Sequence, residues 1–135
     1  MPYQTLDHTS ELSLKVTGNS LEGLFSAALA GTMHILKKPF SSDKLTTRRS
    51  ISLTAPDRTS LLIDFLNEAL YLAYTHKEIY PTVKFHRLED QNLLGTLKGF
   101  SVDSFNNDIK AVTYHQANVH QNKTGEWETK IIFDI

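Results

Sequence analysis

Two stretches of this chain repeat their apolar residues at helical spacing, each follows a stretch that alternates, and after Pro81 only alternation remains. This order constrains the fold more than any other feature. Leu12, Leu14 and Val16 alternate with Glu11, Ser13, Lys15 and Thr17, which predicts a half-buried strand. Gly18-Asn19-Ser20 closes it, either Asn19 or Ser20 can cap a helix, and Glu22 lies at capping-box distance from Asn19. Leu21, Leu24, Phe25, Ala28, Leu29, Met33 and Leu36 then form one apolar stripe. Lys37-Lys38 and Pro39 end it, so a helix is predicted over 20–38.

The polar run 40–47 reads as a loop, and Ile51, Leu53 and Ala55 alternate in the next strand. Asp57 or Thr59 caps a second helix over 59–75, with Leu61, Leu62, Phe65, Leu66, Ala69, Leu70, Ala73 and Tyr74 on its apolar side. Its polar stripe is Ser60, Asp64, Asn67, Tyr71 and Thr75, by default a solvated face. Strands follow over 82–89, 93–102, 109–120 and 126–135, with a turn at Asn106-Asn107-Asp108 and a hairpin connection around Lys123-Thr124-Gly125. The expected architecture is α+β: a two-layer sandwich of one mixed or antiparallel sheet with both helices on one face. Leu24, Phe25, Leu29, Leu62, Phe65, Leu66, Val112, Ile131 and Phe133 are its expected core.

With 135 residues the chain fits one domain, 1–135, and 40% hydrophobic against 21% charged residues exclude wholesale disorder. Fourteen Lys and Arg against fifteen Asp and Glu leave a net charge of -1, which argues against binding nucleic acid through bulk charge but leaves room for a local basic patch. The absence of cysteine removes thiolate nucleophiles, zinc-thiolate sites and any disulfide partner. No signal-peptide pattern, lipidation motif or apolar run of membrane-spanning length stands in the sequence, so a cytoplasmic protein is expected.

Phosphate loops, dinucleotide fingerprints, nucleophile elbows and H-E-x-x-H pairs are all missing. Two acidic places stand out instead: Asp7-His8-Thr9-Ser10-Glu11 before the first predicted strand, and Asp134 beside the terminal carboxylate of Ile135. Strand parity turns Ile131, Phe133 and Ile135 to the core and Glu11 and Asp134 away from it. If the two strands are neighbours, Glu11, Asp134 and the Ile135 carboxylate can converge, and hard oxygen donors of that kind suit Ca²⁺, Mg²⁺ or Mn²⁺. Otherwise these acids occupy a solvated face. Asp64 on the second helix, and the run Lys110-Ala111-Val112-Thr113-Tyr114-His115, are further places where chemistry could sit.

Five segments, in order, resemble the archease family over essentially the whole chain: Asp7–Glu11, Gly18–Phe25, Leu61–Glu68, Ile109–His115 and Ile132–Ile135. The resemblance implies a small protein cofactor, not itself an enzyme, for the RtcB-type RNA ligase. That ligase joins 3′-phosphate or 2′,3′-cyclic phosphate ends to a 5′-hydroxyl with GTP and Mn²⁺, in tRNA splicing and RNA repair. The family promotes its guanylylation and multiple turnover, so RNA would be met only through the ligase. The resemblance also implies a divalent cation, most often calcium, held by Glu11, Asp134 and Ile135, and a role in activation for Lys110. His8, Asp64 and His115 are weaker candidates. Where the family pattern has Ala-Asp this chain has Ser10-Glu11, whose extra methylene a flexible Ca²⁺ shell absorbs better than an octahedral Mg²⁺ shell. Two alternatives from other classes are a stand-alone metal-dependent phosphoesterase or nuclease using Glu11, Asp134 and His8 or His115, and a chaperone-like binding module.

Overall fold

A computed structural model describes residues 2–7, 11–38 and 44–135. Its elements in chain order are β1 (Tyr3–Asp7), β2 (Glu11–Gly18), α1 (Leu21–Leu36), β3 (Thr47–Thr54), α2 (Arg58–His76), β4 (Glu78–Leu88), β5 (Asn92–Ser101), β6 (Ala111–Thr113), β7 (His120–Gln121) and β8 (Trp127–Asp134). Both helices start where capping chemistry allows. The Ser20 hydroxyl accepts from the Gly23 amide at 3.0 Å, and the Asp57 carboxylate accepts from the Ser60 amide at 2.7 Å. The α+β class stands, and every strand pair is antiparallel.

The strands divide between two sheets instead of joining one. A five-stranded sheet has the order β1-β2-β8-β6, with β7 also on β8; a separate three-stranded sheet has the order β3-β5-β4. A helix causes the division. The Asn67 side chain on α2 donates to the Val112 carbonyl and accepts from the Val112 amide, both at 2.9 Å, on the edge of β6 that faces away from β8. With that edge satisfied, no further strand can add there. Strands β3, β4 and β5 pair among themselves, and both sheets share one core with both helices. Leu24, Phe25, Leu29, Leu62, Phe65, Leu66, Ile131 and Phe133 are fully buried and Val112 nearly so, as their spacing predicts.

Four local readings change. Strand β1 was hidden by its polarity: Tyr3 packs beside Gly31 with its hydroxyl 2.7 Å from His34 Nδ1, and pairs in register with Val16. Strand β4 starts before Pro81, which sits in the irregularity between Ile79 and Thr82 because proline has no amide to give the ladder. The strand predicted over 109–120 shrinks to Ala111–Thr113, since Ala117 closes a turn on Tyr114 (3.2 Å) and Gln116 adopts a φ of 59°. Ile135 lies past the end of β8 and is 42% exposed, whereas Ile132, of opposite parity, is buried. Pro39, residues 40–43 of the predicted loop, and His8, Thr9 and Ser10 lie outside the described residues.

Candidate functional site

Antiparallel pairing of β2 with β8 sets Glu11 opposite Asp134, and pairing of β6 with β8 sets Ala111 on the other side of Asp134. Cross-strand partners share a face, with Cβ atoms about 5 Å apart. Leu12, Phe133 and Val112 form the adjacent row and turn inward, so Glu11, Asp134 and Ala111 turn outward. Glu11 is half-buried and Asp134 exposed, and neither makes an ion pair with another described residue. Ala111 offers no polar atom. Two like charges placed face to face destabilise a sheet unless a cation or a proton intervenes.

The next residue carries the terminal carboxylate. Among the described residues no three His, Cys, Asp or Glu side chains gather as a metal cluster. The oxygens at this end are those of the Glu11 and Asp134 side chains, set opposite each other by register, and of the carboxylate on Ile135, next in the chain; as hard donors they match Ca²⁺, Mg²⁺ or Mn²⁺ in kind.

Residues 106–119 bring Lys110 to the same end of the sheet, and both helices hold this segment. Asn106 and Asn107 satisfy carbonyls at the end of α1: the Asn106 amide donates to Leu36 O (2.7 Å), its side chain to Lys38 O (2.6 Å), and the Asn107 side chain to Ile35 O (2.8 Å). Helix α2 then grips the chain at three points. The Tyr74 hydroxyl accepts from the Ile109 amide (2.8 Å) and lies 3.0 Å from the Ile109 carbonyl; Asn67 holds both backbone groups of Val112; Thr59 Oγ1 accepts from the Val119 amide at 3.0 Å. Lys110 sits between the first two grips. Its amide donates to the Asp134 carbonyl at 2.8 Å, while the residue itself is exposed.

The other sequence candidates scatter. Tyr114 donates a short hydrogen bond to Asp64, and that bond, more than burial, raises the Tyr114 pKa above its ordinary value of 10.0. Asp64 and the exposed His115 thus lie beyond the Thr113 end of β6, away from the Ala111 end where Asp134 pairs. His8 is outside the described residues. A groove of about 670 Å³, lined in part by Leu12, His34, Ile35, Asp108 and Ile135, opens beside the terminal residue.

Sequence reasoning missed the roles of Asn67 and Tyr74, although both lie along the side of α2 that faces 109–112; their seven-residue spacing puts them on one face. It also missed Glu78. This buried carboxylate accepts from Arg49 Nε (2.8 Å), Arg49 Nη2 (2.9 Å) and the Tyr80 hydroxyl (2.8 Å). The Arg49 hydrogen bonds hold the Glu78 carboxyl below its ordinary value, and burial followed by the Glu78 contact pushes the Tyr80 phenol up.

Fold and site together define a small α+β domain whose first long strand and last strand present a pair of carboxylates beside a helix-clamped lysine. Residues 3–135 match the model of the Archease protein family (MTH1598/TM1083), and the chain belongs to that family. The protein archease of Methanosarcina barkeri is 29% identical over 143 residues, covering 98% of this chain and 95% of its own. That of Thermoplasma volcanium is 28% identical, with both chains covered in full. Among solved structures, a Methanobacterium thermoautotrophicum protein superposes with a TM-score of 0.78 at 24% identity, over 99% of both chains. An archease from Thermotoga maritima, described as a possible chaperone, superposes with a TM-score of 0.62 at 18% identity, over 98% of this chain and 96% of its own. Among the described residues no helix is long and apolar enough to cross a membrane.

Proposed function

We propose that this chain is a cytoplasmic accessory activator of an RtcB-type RNA ligase, promoting guanylylation and multiple turnover of its partner without ligating RNA itself. The observation that carries this reading is the row Glu11–Asp134–Ala111 with the Lys110 amide bonded to the Asp134 carbonyl. Glu11, Asp134 and the Ile135 carboxylate would hold a divalent cation, calcium being the best match to a site with glutamate at position 11. Such an ion supplies positive charge that lets the carboxylates face one another. Lys110 cannot ligate it, since its ammonium has three donors and no acceptor. Its role is to pair with a nucleotide phosphate or a ligase carboxylate, held in place by the Tyr74 and Asn67 grips on either side.

The test is a guanylylation time course with purified ligase, GTP and Mn²⁺, with and without this protein. Faster guanylylation and more than one turnover per ligase are expected, and an unchanged time course overturns the reading. The Thermotoga relative's description as a possible chaperone favours a second reading, a binding module that protects clients from aggregation. Suppressed aggregation of unrelated unfolded proteins, with no effect on guanylylation, would select it.

A further inference from the structure

The outer face of the three-stranded sheet has the wrong charge for a protein that is nearly neutral overall. Strands β3, β4 and β5 contain a single acid, Glu78, and it is buried against Arg49 and Tyr80. Register sets Arg48 directly opposite Lys98 and Lys98 opposite Thr82; the next row is Ser50, Thr96 and Lys84. The alternate residues Ile51, Leu93, Gly95, Leu97 and Gly99 are buried, so these two rows share the outward face. Arg48, Thr82, Lys84 and Ser50 are exposed, and Lys98 and Thr96 half-exposed. None of the three cations makes an ion pair with another described residue.

Placing two cations opposite each other on neighbouring strands costs stability, and a fold gains nothing from it. An anion at the surface removes the cost. Long cations interleaved with hydroxyls form hydrogen bonds and ion pairs to phosphate oxygens. A protein interface, by contrast, is anchored by a cluster of large apolar or aromatic side chains. Leu94, 45% exposed, is the single large apolar side chain counted as exposed on these strands.

We infer that the outer face of β3, β4 and β5 binds the phosphodiester backbone of a nucleic acid, through Arg48, Lys84 and Lys98 and without reading sequence. This inference does not depend on the ligase, because it concerns the protein alone. It adds to the proposed function a direct hold on nucleic acid by a surface other than the carboxylate end.

The experiment is fluorescence anisotropy of a labelled 20-nucleotide single-stranded RNA titrated with the full chain at several salt concentrations. Non-specific binding of about 10⁻⁵ M is expected at low salt, with log K falling against log salt at a slope of about -2 for three single-strand phosphate contacts. The variant carrying Arg48→Gln, Lys84→Gln and Lys98→Gln should bind about tenfold more weakly or worse, with a slope near zero. Should it fail to fold, Arg48→Gln alone should lower the slope by about 0.7. Lys15→Gln with Lys130→Gln alters the opposed pair of the other sheet, which has the Glu128 carboxylate two residues along the same face, and should change nothing. Equal binding of single-stranded DNA supports the inference, since the recognised group is shared. No binding at low salt, an unchanged slope in the variants, or binding of poly-glutamate but not RNA would overturn it, the last result assigning the face to an acidic protein.

Discussion

The two carboxylate sites of this protein are built on opposite principles. Glu78 is buried and receives three hydrogen bonds, two of them from one guanidinium, so its charge is answered inside the fold. Glu11 and Asp134 lie at the end of the other sheet, facing each other across a strand pair, and neither is in an ion pair with another described residue. One arrangement holds two strands of a sheet in place. The other sets two acids on one face of a strand pair, the conflict that the proposed cation would resolve. A charged group that the protein satisfies reports on structure, and one it leaves unsatisfied reports on function.

Breaking the satisfied site should have the largest effect. Glu78→Ala leaves the buried Tyr80 hydroxyl without its acceptor, while Arg49, a third exposed, can turn to water, and should cost about 3 kcal/mol, read from urea unfolding. The same site sets an acid dependence. The folded Glu78 carboxyl titrates below the ordinary value of 4.5, chiefly through its Arg49 bonds. Its stabilisation is therefore present above that value and is lost as the pH falls through the folded pKa. The parent's urea midpoint should drop below about pH 4.5, and Glu78→Gln should flatten that part of the curve. A parallel pH profile in both proteins would remove Glu78 from the account.

The unsatisfied site should respond the other way. Glu11→Gln should leave the metal-free protein as stable as the parent or slightly more so, because it removes a repulsion. It should also abolish the stabilisation that calcium gives the parent, about 2.7 kcal/mol at a hundredfold excess over Kd. Thermal melts with and without Ca²⁺ read both effects, and a C-terminal extension, which displaces the Ile135 carboxylate, should weaken the calcium response as well. Equal calcium shifts in parent, Glu11→Gln and extended protein would show that these oxygens hold no ion.

Between the two lies the clamp. Asn67→Asp keeps the acceptor for the Val112 amide but sets a carboxylate against the Val112 carbonyl. A loss of about 1–3 kcal/mol is expected, together with faster hydrogen exchange at the Val112 amide. Unchanged exchange would mean that Asn67 does not hold β6. The smallest effect on stability, about 0.5 kcal/mol, is expected for the exposed Lys110→Ala. That variant should bind calcium normally yet stimulate ligase guanylylation poorly, and full stimulation would remove Lys110 from the proposed mechanism.

Much of the fold is legible in the residues because it follows from local periodicity. The stripe from Leu21 to Leu36 and the alternation of Leu12, Leu14 and Val16 each have one way to bury their apolar side. The two acids of the candidate site were also legible, through the parity of Glu11 and Asp134 and the resemblance of five segments to the archease family. Strand β1 was not, because its pattern is polar and its burial depends on Gly31 and His34, some thirty positions away in sequence. The short β6 was overestimated for a related reason: alternation continues past Thr113, and the turn at Tyr114–Ala117 that ends pairing has no strong turn residue.

What the sequence by itself determined is therefore both helices and most of the strands, the buried side of each, and the family to which the chain belongs. Only the tertiary structure decided that the strands form two sheets, that Glu78 is a buried hub, and that Asn67 and Tyr74 of α2 bind the backbone of 109–112 instead of water. The reason is physical. Periodicity records which side of an element avoids water, but a polar side chain can be satisfied by solvent or by a distant backbone. Asn67 and Tyr74 look the same in either case, and only the position of residues 109–112 shows which partner each has taken.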